Sequence, residues 1–202
     1  MTYATKFESW GNMMRFSGSE DLRVQKTISA IHEAFETMIL ETNYDKITVK
    51  ALCERARINK KTFYRYYETL DFLLAEIMDK FATDFLERIK NYRVPEDLEK
   101  INREFFIYST EQGDLYERIV CYAPHQAISR KMISHIINQT WNSALKFQEL
   151  NIYEQNLLLS FIYNVGLELY RQWVNDDKKL SLEEIITLSN KLLCTGVFGF
   201  IN

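Results

Sequence analysis

Six side chains between Lys60 and Tyr66 concentrate donor chemistry: Lys60, Lys61, Thr62, Tyr64, Arg65 and Tyr66. Ammonium and guanidinium groups supply charge and several N–H donors, and hydroxyls supply donors of shorter reach. Such a set matches a polyanion. Lys60, Lys61 and Arg65 suit guanine O6 and N7 or phosphate, Thr62 suits either, and Tyr64 and Tyr66 suit phosphate oxygens. The surrounding stretch, INKKTFYRYYETL, holds four rings and three cations. In a helix, Phe63 and Tyr67 stand four apart on the face opposite positions 60, 61, 64 and 65. They are expected in a local core with Phe35, Leu52 and Ile58, which leaves the polar six to a partner. Just upstream, Thr48 and Lys50 open a short helix and can reach phosphates by side chain and helix N-terminus together.

Charge supports this division. From Lys46 to Tyr67 seven cations face the single acid Glu54, a window of +6, whereas the stretch from Pro95 onward carries ten cations and fourteen acids, or −4. The overall −3 therefore hides a compact basic segment on a mildly acidic body. Catalysis finds no such concentration. There is no HExxH, GxSxG, phosphate loop or GxGxxG, and His32, His125 and His135 lack metal-ligand companions. No enzyme activity, metal or cofactor is expected. Cys53, Cys121 and Cys194 are scattered and odd in number, as reduced buried thiols of a cytoplasmic protein would be. The amino terminus has no signal-peptide pattern, no uninterrupted apolar run approaches 18 residues, and no membrane partner is expected.

The elements that must hold the basic segment are helical. Two prolines and six glycines punctuate 202 residues, and no stretch alternates with period two for long. The fold class is all-α, with about nine helices. Residues 1–20 read as an N-terminal arm. Residues 21–68 read as a three-helix, helix-turn-helix unit: Ile28, Ile31, Phe35 and Met38 mark the first helix, Thr48 caps the second (Val49 to about Ala56), and Asn59 caps the third (Lys60 to Tyr67). Residues 69–94 read as a linking helix that ends before Pro95. Residues 95–202 form a helical body, with helices expected at about 96–111, 115–123, 126–148, 153–174 and 181–198. Three of these carry a polar residue followed by Glu at capping spacing: Asp114 with Glu117, Asn151 with Glu154, and Ser181 with Glu184.

The segment ITVKALCERARINKKTFYRYYETLDFLL, Ile47 to Leu74, resembles the DNA-binding segment of the tetracycline-repressor (TetR) family of one-component transcriptional regulators. The matching positions are Thr48, the small Ala56 before the turn, Thr62-Phe63-Tyr64-Arg65-Tyr66-Tyr67, and Asp71-Phe72-Leu73-Leu74. Two positions depart from the family pattern. Arg57 stands where the turn usually has Gly and must adopt its backbone angles. A phosphate-holding Lys near the start of the fourth helix has no counterpart in Glu68-Thr69-Leu70, with Lys60 and Lys61 the candidates to compensate.

The resemblance implies a repressor that binds double-stranded DNA, a palindromic operator, as a homodimer and is released by a small-molecule effector. The body is then the regulatory and dimerisation domain. Its last two helices are expected to carry the dimer face through Leu158, Phe161, Ile162, Val165, Leu169, Ile185, Leu192 and Val197. Gly166, inside one of them, invites close approach of another helix. Candidate effector-lining residues are Phe105, Tyr108, Tyr122, His125, His135, Trp141 and Tyr163. The linking helix belongs to both halves, so a ligand in the body could swing it and change the spacing of two reading heads. The alternative is a protein of this fold that serves as a protein-binding coactivator without an operator; steep salt dependence of DNA binding separates the two.

Overall fold

The computed structural model describes residues 19–121 and 136–201. The chain divides into two compact units, Met1–Leu70 and Asp71–Asn202. No strand occurs among the described residues.

The first unit is built on α1 (Ser19–Glu41), a single 3-10 turn at Tyr44–Lys46, α2 (Val49–Arg55) and α3 (Lys60–Tyr66). Helices of seven residues are too short to persist alone. Caps and packing hold them. Thr48 Oγ1 accepts the Ala51 amide at 3.1 Å, and Asn59 Oδ1 accepts the Thr62 amide at 2.8 Å, so both helices start at their expected caps. Between them Arg57 takes a left-handed φ of 54°. The Arg57 amide donates to Glu54 O and the Ile58 amide to Cys53 O, the paired bonds that close a helix through one left-handed residue. Ile31, Phe35, Leu52, Phe63 and Tyr67 fill the unit's core, with Ile58 half-buried.

The second unit contains α4 (Leu70–Ile89, whose first residue closes the first unit), α5 (Leu98–Glu111), α6 (Gly113–Cys121), α7 (residues 136–141), α8 (Leu145–Gln148), α9 (Ile152–Asn175) and α10 (Leu182–Ile201). α10 packs against α5 and α9, and α6 against α5 and α9. A buried aromatic group of Phe106, Tyr116, Tyr170 and Trp173 ties these helices together, with edge-on contacts of Phe106 to Tyr170 and Trp173 and of Tyr116 to Tyr170. Across the α5–α10 seam, buried Asn102 donates to Ser189 Oγ at 3.0 Å and Asn190 Oδ1 at 2.7 Å, the pairing that burial of an amide requires. The turn after α9 is a second left-handed closure, with Asp177 and Lys178 at φ 56° and 52°.

Two expected caps are present, the reciprocal pairs Asn151–Glu154 and Ser181–Glu184. The third is not. Asp114 lies inside α6, because Gly113 at φ 72° turns the chain directly out of α5, and Glu117 pairs with Lys178 instead. The helix expected over 126–148 is also not continuous in its described part. It breaks at Asn142–Ala144, where the Ala144 amide bonds to Trp141 O and Gln148 Nε2 to Asn142 O.

α10 has the length and apolarity of a membrane span by composition alone. Within the unit, its Ile185, Ile186, Leu193, Cys194 and Val197 are buried in the core.

Candidate functional site

α3 presents one face outward. Lys60, Lys61, Tyr64 and Arg65 are exposed, while Phe63 and Tyr67 on the opposite side are buried, their rings 5.7 Å apart. Tyr67 is anchored further: its hydroxyl lies 2.9 Å from His32 Nε2 on α1. The helix is thus fixed to its unit by rings and offers cations on the other side. Tyr66 is half-buried beneath the Arg65 guanidinium, 5.9 Å from its ring centre. Thr62 is also half-buried, and its hydroxyl donates to Asn59 Oδ1, so it serves the cap as well as the outer face.

Electrostatics separate these cations from their neighbours. Arg55 is paired with Glu41 at 2.6 Å, and Lys50 lies 3.9 Å from Glu54. Among the described residues no carboxylate pairs with Lys60, Lys61 or Arg65. Thr48 and Lys50 are exposed at the start of α2. The result is a cationic surface on the last helix of a capped two-helix turn, the arrangement that lets a helix enter a major groove.

The second unit holds a cavity of about 110 Å³, many times the space that one water needs. α4 lines it with Phe81, Phe85 and Ile89, α5 with Leu98, Ile101 and Phe105, and α9 with Ile162, Gly166 and Leu167. Four residues expected at an effector site, Phe105, Tyr108, Trp141 and Tyr163, line this one cavity. Tyr122, His125 and His135 lie outside the described residues. Among the described residues every lining side chain is neutral, and burial pushes the Tyr116 phenol up to about 12 and the Tyr108 phenol higher still.

The residues expected at a dimer face divide. Leu158, Ile162, Ile185 and Val197 are buried in the chain's own core, and Val165 and Leu169 are half-buried. Phe161 and Leu192 are exposed, with Leu157, Leu188 and Phe200 beside them in sequence register on α9 and α10. Helical spacing does not separate the inward from the outward members, because both helices are apolar on more than one face.

Gly166, expected to admit another helix closely, has no such neighbour among the described residues of its own chain. A Cβ there would meet none of their atoms within 4 Å, and Gly166 lines the cavity.

Solved structures share this architecture. A TetR transcriptional regulator from Streptococcus agalactiae superposes with a TM-score of 0.66 at 19% identity, over 86% of this chain and 97% of its own. The fold is that of TetR-family transcriptional regulators. The fatty acid degradation regulator FadR from Bacillus halodurans matches this TetR-type fold with a TM-score of 0.59 at 17% identity, over 91% of this chain and 98% of its own. FadR from Bacillus subtilis, solved in complex with stearoyl-CoA, matches with a TM-score of 0.58 at 21% identity, over 82% and 95%. At these identities the likeness is one of fold. No family model matches the chain, and no curated protein matches it.

Proposed function

We propose that this chain is a DNA-binding transcriptional regulator, a repressor that reads a palindromic operator as a homodimer and is released by a small-molecule effector. The observation that carries this reading is the α3 face: Lys60, Lys61 and Arg65 without carboxylate partners among the described residues, on a helix fixed from behind by Phe63 and Tyr67. Lys60, Lys61 and Arg65 read base edges or hold phosphates, Thr62, Tyr64 and Tyr66 add hydroxyl contacts, and Thr48 and Lys50 hold the backbone at the start of α2. A module this small buries too little surface for selective binding singly, so two copies are needed. Phe161 and Leu192, with Leu157, Leu188 and Phe200, supply an apolar face for the second copy.

The effector site is the cavity of the second unit. A regulator of this fold, FadR of Bacillus subtilis, is solved in complex with stearoyl-CoA. α4 lines the cavity with Phe81, Phe85 and Ile89 and is continuous in sequence with the DNA-reading unit. Filling the cavity moves α4, and so resets the spacing of the two reading heads. Selection of bound fragments from the source genome, followed by mobility shift across a salt series, tests the reading. Enriched fragments and steep salt dependence support it; salt-insensitive capture of a protein with no DNA shift points to a coactivator.

A further inference from the structure

We propose that the start of α1 is a second grip on DNA, in which Arg23 and Lys26 hold backbone phosphates flanking the bases that α3 reads. The inference rests on the regulator reading and deepens it.

Leu22, Arg23, Lys26, Thr27 and Ala30 of α1 line one surface recess of the first unit together with Ile58, from the turn between α2 and α3. Arg23 and Lys26 are exposed, and among the described residues neither pairs with a carboxylate. Three apart, they stand on one face of α1 and repel each other, so the helix itself gains nothing from the pair. No acid occurs between Leu22 and His32 to offset them. The Thr27 hydroxyl is committed to Arg23 O at 2.8 Å, which leaves the two cations as the donors. Leu22, Ala30 and Ile58 add an apolar floor. Unpaired cations beside such a floor match a sugar–phosphate backbone, whose phosphates take the charge and whose sugar carbons lie on the apolar side chains.

Ile58 decides which polyanion this is. It stands directly before Asn59, the cap of α3, and two residues before Lys60, so the recess adjoins the end of α3 that enters the groove. Lys60 is exposed and, like Arg23 and Lys26, has no carboxylate partner among the described residues. The cationic surface of α3 therefore continues onto α1, and one duplex engages both. With no cation in Glu68-Thr69-Leu70 to hold a phosphate from the start of α4, the pair on α1 supplies a contact of that class from outside the helix-turn-helix. A phosphate carries no base identity, so this grip adds affinity and salt dependence without adding sequence preference.

The test is an anisotropy titration of the full chain against two duplexes of equal length, a fragment recovered by genomic selection and an unrelated sequence, across a salt series. The parent is compared with the double variant Arg23→Gln, Lys26→Gln. Because both side chains are exposed, the variant should keep the parent's Tm. It should bind both duplexes about tenfold or more weaker near 0.1 M salt, with a salt slope smaller by about 2. The exchange Arg23→Lys, Lys26→Arg, which keeps both charges, should restore the slope. An unchanged slope in the Gln variant would give the recess to another occupant, a protein surface or the chain's own residues 1–18, and overturn the proposal. A loss confined to the selected fragment would also overturn it, by making the pair base readers. In either case a parent that binds DNA with steep salt dependence leaves the regulator reading standing, whereas a parent that shifts neither duplex sinks both.

Discussion

The Phe161 ring lies against Gly196: a Cβ on that glycine would stand 2.5 Å from Phe161 Cζ and 2.8 Å from Cε1. The ring can rest on α10 only because position 196 has no side chain, and in this position it keeps 38% of its surface exposed. Leu192, one turn away, is 57% exposed. A smooth apolar face of this kind is what the proposed dimer would bury. Leu192→Glu should place a charge in that interface and convert a dimer into a 24.1 kDa monomer at micromolar concentration by light scattering. Gly196→Leu, which displaces the ring, should weaken association in the same assay. An undisturbed dimer in both variants would place the interface elsewhere.

Arg57 carries the left-handed φ that ends α2, at 54°. A residue with a Cβ costs about 1–2 kcal/mol there, and glycine almost nothing. After allowing for glycine's greater freedom in the unfolded chain, Arg57→Gly should stabilise the first unit by about 0.5–1 kcal/mol, seen as a higher urea midpoint at unchanged slope. Arg57→Ala, which keeps the strain, should give no such gain.

That turn is legible in the sequence because the cap residues Thr48 and Asn59 bracket it and Arg57 stands at the position that must turn left. The core rings Phe63 and Tyr67 are legible for a related reason: Tyr67, the residue that closes the seven-residue α3, stands four positions after Phe63, and that spacing leaves them one common side. The second unit is harder. Leu158 and Phe161, three apart on α9, read alike as apolar helix positions, yet one is 2% and the other 38% exposed, because which neighbour a helix leans on is decided by partners distant in sequence. The capping pairs show the same limit. Asn151–Glu154 and Ser181–Glu184 close on themselves, whereas Glu117 is drawn to Lys178, sixty-one residues on. Gly166 gives a signal, a poor helix former in a long helix, but a cavity is a property of many side chains and no single position announces it.

Acid should loosen the second unit through α10. Hydrogen bonds from Ser181, first its side chain and then its backbone amide, hold Glu184 below the usual 4.5, and the bond from Arg103 does the same for Glu183. A carboxyl whose folded pKa is depressed stabilises above its unfolded value and loses that contribution as pH falls from about 4.5 through the folded value. Thermal melts should therefore show a steeper loss of Tm between pH 5 and 3 for the parent than for Glu184→Gln, with the two curves converging at the acid end. Parallel curves would remove the capping carboxylate from the account.

The central claim is that the face of Lys60, Lys61 and Arg65 grips DNA. The most direct measurement is an anisotropy titration of a fragment recovered by genomic selection, across a salt series, for the parent, Lys60→Ala and Arg65→Ala. The account predicts affinity that falls steeply with salt, and a loss of about 1–3 kcal/mol for each substitution. Parent binding that ignores salt, or substitutions that leave the titration unchanged, would contradict it.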